Sequence, residues 1–292
     1  MVEVLSADKV YADGTRALKP VDLSIRPGEF VTLLGPSGCG KSTLLKMVAN
    51  LIEPTDGRIL WWRHGYDHVG EPGKKLVMVF QDATLMPWAR VQKNVRLPLD
   101  LGHFEKKDSN PKVTEALALV GLTGFENHYP RQLSGGMQMR VSIARSLVTE
   151  PNLLLMDEPF GALDEITRNR LDADLIQLWW QKKLTVLFVT HSIYEAVFLS
   201  TRVVVMAART GRVLREVKID EPHPRSDAFR VTQKFAAYAK ELSECLAQAS
   251  ASGATHLSTR SLRLAVTGRS LPGRSRRRGA RTAPSRRPRT SA

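Results

Sequence analysis

Cysteine is scarce in this sequence, and long apolar runs are missing. The 292 residues include two cysteines, Cys39 and Cys245, so we expect no structural disulfide and a reducing, cytosolic setting. No apolar run approaches the roughly 18 residues that a membrane-spanning helix needs. Residues 1–9 lack the basic and then apolar layout of a secretory signal. These absences argue against a disulfide-rich secreted domain and against an integral membrane protein.

The last 43 residues contain neither acids nor lysine. Between Ser250 and Ala292 there are eleven arginines, which leave +3 of the formal net charge of +14 for the first 249 residues. The basic pI is therefore a property of the tail and not a nucleic-acid footprint of the folded part. Few bulky apolar residues occur there, so we expect residues 246–292 to form an Arg-rich disordered tail. The sequence leaves two interpretations of this tail: a segment that contacts anionic lipid or RNA, and a dispensable extension.

The most informative segment is a glycine-rich turn between an apolar run at 30–34 and another at 44–48. Glycines in such a turn let successive N–H groups point at one anion, and the following helix directs its positive end to the same place. A lysine and a hydroxyl then serve the β- and γ-phosphates and Mg²⁺. By composition this pattern arises by chance in about one such chain in a hundred. The segment consists of Gly35, Pro36, Ser37, Gly38, Cys39, Gly40, Lys41, Ser42 and Thr43.

Two acids, Asp157 and Glu158, end a continuous apolar run at 153–156. Such a run is typical of a strand buried on both faces of a parallel sheet. If this strand neighbours the one before the glycine-rich turn, Asp157 can hold Mg²⁺, and Glu158 can orient or deprotonate an attacking water. A solvated pair of acids at a strand end is the weaker interpretation.

Four further positions have both a structural and a functional interpretation. Gln81 follows the run at 76–80 and is either a ligand-binding side chain or a strand terminator. Residues 134–136 read Ser-Gly-Gly at a helix start, which alone favours an N-capped helix over a second phosphate site. His191 follows the run at 185–190, where histidines are more often structural. Tyr11 at an early strand end is more often a packing residue than a purine-stacking one.

Strand and helix patterns alternate along the chain with short links. This alternation predicts an α/β fold with a mostly parallel sheet and helices on both faces, preceded by short antiparallel strands. The patterns predict strands at 2–5, 10–11, 21–25, 30–34, 58–62, 76–80, 153–156, 185–190, 202–206 and 212–219. They predict helices at 93–101, 111–120, 138–148, 165–183, 195–199 and 227–250.

Five landmarks occur in one order: 35–43, Gln81, 133–136, 153–158 and His191. Together they resemble the ATP-binding subunit of an ABC transporter over roughly residues 1–245. The resemblance implies a P-loop NTPase (RecA-like) core with an N-terminal antiparallel β subdomain and an inserted α-helical subdomain at about 82–150. It also implies ATP and Mg²⁺ as the bound species and ATP hydrolysis coupled to transport as the activity.

The resemblance also implies a role for each matching residue. Lys41 and Ser42 match the Walker A residues for phosphate and Mg²⁺, Asp157 the Walker B aspartate, and Glu158 the catalytic glutamate. Gln81 matches the Q-loop glutamine near the metal, and His191 the switch histidine at the γ-phosphate. Ser134, Gly135 and Gly136 match the signature that contacts ATP across a dimer. Asp164 matches the D-loop aspartate, and Tyr11 matches the adenine-stacking aromatic.

The signature reads LSGGM, with Met137 where glutamine is usual. Its serine and both glycines are kept, so we expect activity to survive. Residues 80–88, FQDATLMPW, and residues 133–147 look like the importer subfamily for nitrate, sulfonates and taurine.

This narrower likeness implies partners and a location. We expect a dimer of two ATP-binding subunits, identical by preference, at the cytoplasmic face of the cell membrane. Integral permease subunits would contact residues near 86–88, and a solute-binding protein would act through the permease. Two alternatives are a soluble ABC ATPase without transport and an ATPase associated with nucleic acid through its basic tail, although nucleic acid is not the expected partner.

Overall fold

The computed structural model describes residues 1–208 and 211–251, and a six-stranded sheet is its central element. The strands in chain order are β1 Val2–Val10, β2 Arg16–Ile25, β3 Phe30–Leu34, β4 Asp56–Trp61, β5 Leu76–Val79, β6 Leu153–Asp157, β7 Thr185–Thr190, β8 Arg202–Met206 and β9 Val213–Lys218. The large sheet has the order β5-β6-β7-β3-β8-β9. Its strands are parallel except for β9, which pairs antiparallel with β8. The predicted α/β fold is confirmed.

The central strands are buried on both faces, which explains their continuous apolar runs. Every residue of β3 and β7 is buried. Alternate residues join different cores: Phe30 and Phe188 belong to one cluster, whereas Val31 and Leu187 belong to the other. The two cores lie on opposite faces of the sheet because successive strand side chains alternate in direction.

The helices are α1 Lys41–Val48, α2 Val91–Leu101, α3 Lys106–Leu119, α4 Gly135–Leu147, α5 Glu165–Lys182, α6 Ile193–Leu199 and α7 Gln233–Ala251. Side chains from α2 to α7 share the first core with Phe30. Helix α1 shares the second core with Val31 and with strands β1, β2 and β4. The second face is therefore covered by one helix together with a small sheet, so helices lie on both faces of the large sheet, as predicted.

Strands β1, β2 and β4 form a separate antiparallel sheet in the order β2-β1-β4. The predicted antiparallel character of the N-terminal strands is confirmed. The small sheet also contains β4, which follows α1 in the chain.

One predicted helix begins later than expected. The pattern at 227–250 predicts a single helix, but residues Asp227–Val231 form a short 3₁₀ turn and α7 begins at Gln233. The Thr232 hydroxyl oxygen between them accepts a hydrogen bond from the Phe235 N–H at 3.1 Å. A threonine that caps a helix in this way competes with helix continuation.

Helix α7 continues past residue 245 to Ala251, while the predicted domain boundary at 245 remains a prediction. Disorder is predicted for residues 246–292. Of these, residues 246–251 belong to α7, and residues 252–292 lie outside the described ranges. Within 1–208 and 211–251, no helix is both long and apolar enough to cross a bilayer.

Candidate functional site

The glycine-rich turn lies between β3 and α1, as predicted. Gly40 precedes the first residue of α1 with a left-handed φ of 97°. A β-carbon at Gly40 would lie 2.7 Å from the Ala17 carbonyl oxygen, so both the backbone conformation and the space require glycine. The turn therefore leads directly into the N-terminus of α1, and the positive end of a helix dipole favours an anion.

Lys41 is the first residue of α1 and is 4% exposed. Its Nζ donates to the Gly35 and Pro36 carbonyl oxygens at 2.8 and 3.1 Å. It also lies 3.7 Å from Glu158 Oε1. The ammonium group is thus held between the turn and the end of β6.

Ser42 and Asp157 meet although their strands are not neighbours. The prediction made proximity conditional on neighbouring strands, but β7 lies between β3 and β6. Ser42 belongs to α1, which follows the turn, and its Oγ donates to Asp157 Oδ1 at 2.7 Å. Burial raises the pKa of the Asp157 carboxyl, and the hydrogen bond from Ser42 partly opposes this rise.

Glu158 turns sharply away from β6. Its φ of 46° is left-handed, and its N–H donates to the Val189 carbonyl oxygen at 3.0 Å. The carboxylate lies between Lys41 and the imidazole of His191, whose Nδ1 is 3.1 Å from Glu158 Oε2. A left-handed glutamate costs backbone energy, and such residues cluster at functional sites.

A cleft of about 240 Å³ opens over these groups. Gln81, the second residue after β5, lines it together with Lys41, Ser42 and Glu158. Tyr11 lies beside the cleft, since its hydroxyl is 3.4 Å from Thr43 Oγ1, and its ring is 39% exposed. The structure therefore brings the predicted residues of the turn, of three strand ends and of Tyr11 into one region.

The residues at 134–136 do not line that cleft. Ser134 caps α4, because its Oγ accepts from the Met137 N–H at 3.3 Å. A β-carbon on Gly136 would lie 2.8 Å from Thr167 Cγ2, so this glycine permits close packing of α4 against α5.

Asp164 caps the next helix. Its Oδ1 accepts from the Thr167 N–H at 3.0 Å, and this hydrogen bond holds the pKa of Asp164 below its usual range. Both caps start helices that pack against each other, and both lie apart from the cleft residues of their own chain.

Sequence reasoning missed the side chains that hold the segment after Gln81. Asn94 is fully buried in α2 and binds Met86 through both backbone groups, accepting at 2.7 Å and donating at 3.2 Å. Arg145 in α4 donates to the Ala83 and Thr84 carbonyl oxygens, each at 2.9 Å. Both residues occur in helical patterns where polar side chains are ordinary. A polar residue on the apolar stripe of α2 was the available signal for Asn94.

Comparison with known proteins places this geometry in a family. A family profile described as ABC transporter matches residues 18–161. An uncharacterized ABC transporter ATP-binding protein of Methanocaldococcus jannaschii is 48% identical over 227 residues, which are 78% of this chain and 83% of the relative. An aliphatic sulfonates import ATP-binding protein of Bacillus cereus is 43% identical over 237 residues, which are 80% of this chain and 92% of the relative.

Solved structures agree with these sequence comparisons. A dimeric ATP-binding cassette in a post-hydrolysis state with ADP and Pi has a TM-score of 0.66 at 35% identity and covers 76% of this chain and 100% of its own. The Clostridium perfringens protein cbiO1, described as part of the ABC transporter complex cbiONQ, has a TM-score of 0.68 at 29% identity and covers 75% and 88%. With its cleft, its strand ends and these relatives in agreement, the chain belongs to the ATP-binding proteins of ABC transporters, which are ATPases that couple hydrolysis to transport.

Proposed function

We propose that this chain is the ATP-binding and hydrolysing subunit of an importer for a small anionic solute of the nitrate, sulfonate and taurine type. The observation that carries the hydrolytic part is the meeting of Lys41, Ser42, Asp157, Glu158 and His191 at one sheet edge. The solute class is supported by the likeness to sulfonate import ATP-binding proteins, at 43% and 44% identity.

The residues present fit Mg²⁺ together with a triphosphate. Mg²⁺ in nucleotide sites is held by one or two protein oxygens, with phosphate oxygens and water as the other ligands. Ser42 and Asp157 supply one hydroxyl and one carboxylate, and Gln81 adds an amide oxygen across the cleft. No group of three or more His, Cys, Asp or Glu able to hold a metal occurs among the described residues, which agrees with such a shared site. When bound, the cation neutralises charge on the phosphate oxygens.

The chain's own residues supply binding, orientation and a base. The N–H groups of 35–43 and the Lys41 ammonium bind the β- and γ-phosphates. Glu158 orients a water at the γ-phosphorus and accepts its proton, and His191, 3.1 Å away, holds this carboxylate and reaches toward the γ-phosphate. Tyr11, exposed beside Thr43, offers a ring face to the adenine.

The positions of the caps at Ser134 and Asp164 support the proposal that a second copy completes the site. They present helix N-termini outside the cleft of their own chain, so in a two-fold dimer each would face the partner's nucleotide. Ser134, Gly135 and Gly136 would contact the phosphates there. A homodimer is supported by the likeness to a cassette solved as a dimer.

The remaining assignments follow from the same proposal. Residues 1–245 form the ATP-binding domain, and 82–150 form a helical subdomain that contacts the permease. Trp88, 77% exposed, lies in the contact region with Met86 and Pro87. The subunit works at the cytoplasmic face of the membrane, where a solute-binding protein acts through the permease and the Arg-rich tail meets anionic lipid.

Disruption of the coding sequence in its host tests the proposal. The disrupted strain should lose growth on an aliphatic sulfonate as sole sulfur source and keep growth on sulfate. The wild-type chain should restore growth, and Glu158→Gln should not. Normal growth on the sulfonate would overturn the sulfonate as the solute, whereas ATPase activity of the purified chain tests the hydrolytic part separately.

A further inference from the structure

Glu195 in α6 is a buried acid outside the cleft. It is 4% exposed, and its carboxylate faces two loops that carry proposed site residues. Burial of a carboxylate is costly unless its oxygens are satisfied. Each of its two oxygens is directed at a different loop.

The first oxygen holds the loop that carries His191. Glu195 Oε2 accepts a short hydrogen bond from the Thr190 hydroxyl, whose oxygen in turn accepts from the Ser192 N–H at 2.9 Å. Ser192 Oγ accepts from the Glu195 N–H at 3.3 Å. The residues on both sides of His191 are thus tied to one carboxylate, while the His191 side chain is 52% exposed. The position of the imidazole therefore depends on this backbone and on the contact of Nδ1 with Glu158 at 3.1 Å.

The second oxygen faces Arg168, which contacts the loop that carries Asp164. Glu195 Oε1 lies 3.7 Å from Arg168 Nε in α5. The same guanidinium donates through its NH2 nitrogen to the Leu163 carbonyl oxygen at 2.7 Å. Leu163 directly precedes Asp164. The guanidinium therefore connects the carboxylate to the backbone at the start of α5.

The two facing atoms of this ion pair form no hydrogen bonds of their own among the described residues. These atoms, Glu195 Oε1 and Arg168 Nε, are both buried. Loss of Arg168 leaves the Glu195 carboxylate buried without this cationic partner. Buried pairs of this kind contribute little net stability, so a role in fixing the relative position of two loops accounts better for its presence here.

We propose that Glu195 is a positioning residue that fixes the loops of His191 and Asp164 relative to each other through Thr190 and Arg168. The inference rests on the roles proposed above for these two loops. In this proposal one carboxylate connects two places: the loop of His191 at the γ-phosphate side of the cleft, and the start of α5 at Asp164, which faces the second copy. Neither arm touches the turn at 35–43, so nucleotide binding should not depend on it.

Steady-state ATPase kinetics of Thr190→Val, Arg168→Met and the double variant test the proposal. Each single variant should lower kcat about tenfold and keep the KM for ATP within about twofold, because binding by the turn is untouched. Since both act through Glu195, the double variant should fall no more than about twofold below the lower single variant.

The matched control is Arg202→Met. Arg202 on β8 forms ion pairs with Glu29 at 2.9 Å and Glu216 at 2.7 Å, and its hydrogen-bond partners Ser24, Glu29 and Glu216 lie outside both loops. It should keep kcat within about twofold even where its melting temperature falls as far as that of Arg168→Met. Unchanged kcat in both single variants, or an additive loss of about a hundredfold in the double variant, would overturn the inference. An active His191→Ala would instead overturn the proposed role of the histidine.

Discussion

Lys41 shows at the scale of one residue how the site is pre-arranged. Its ammonium group is held by the Gly35 and Pro36 carbonyl oxygens and faces the Glu158 carboxylate. This local set was predictable from sequence because turn, lysine and hydroxyl are contiguous. Asn94 left one signal, a polar residue on the apolar stripe of α2, but its partner Met86 does not follow from that stripe. The connection made by Glu195 was not predictable, because its ion-pair partner Arg168 lies on another helix.

Lys41→Ala should weaken ATP binding about tenfold or more, or about 1.4 kcal/mol, since a charge-assisted contact to phosphate is lost. Isothermal titration with Mg-ATP measures this. Lys112→Ala is the control, because Lys112 on α3 pairs with Glu150 and lies outside the cleft. Equal affinities of both variants would remove Lys41 from the phosphate site.

Strand order is the element-scale feature that the sequence left open. The apolar runs predicted each central strand, but which strands are neighbours depends on pairings between segments far apart in the chain. Insertion of β7 between β3 and β6 could not be predicted from the runs. The Ser42–Asp157 contact survives because α1 reaches across the end of β7.

Asn94→Ala should destabilise the fold by about 1–3 kcal/mol, since it leaves the buried backbone groups of the segment at Met86 without partners. Urea unfolding measures the free energy. Lys93→Ala, exposed on the same helix, should change it by less than about 0.5 kcal/mol. If the two variants unfold at the same urea concentration, Asn94 does not hold the segment.

His223 makes the fold sensitive to acid. Both ring nitrogens are buried without a hydrogen-bond partner among the described residues, and the ring lies edge-on to Trp179 at 4.7 Å. Burial, and then Arg225, lower the pKa of His223 from 6.5 to about 4. Between these values the unfolded chain binds a proton that the folded chain does not, so stability falls as pH falls through this window.

Replacement of this histidine tests the pH dependence. His223→Leu should lose less stability than the wild-type chain between pH 7 and pH 4.5, because the variant has no proton to take up at this position. Urea midpoints at the two pH values give the comparison. Parallel losses in both proteins would assign the acid sensitivity to other groups.

At the scale of the whole molecule, the residues predicted for one reaction fall into two sets. Lys41, Gln81 and Glu158 line the cleft, whereas Ser134 and Asp164 cap helices elsewhere. The resemblance to a family predicted both sets, but pattern analysis alone favoured a simple helix cap for Ser134. This separation in space is the reason that the proposed function includes a second copy of the chain.

Analytical ultracentrifugation of Glu158→Gln with Mg-ATP tests this central claim most directly. Blocked turnover should retain the nucleotide and produce a dimer, and addition of Ser134→Arg should abolish the dimer while each chain still binds ATP through Lys41. A monomer at saturating ATP, or a dimer that withstands Ser134→Arg, would contradict a site shared between two copies.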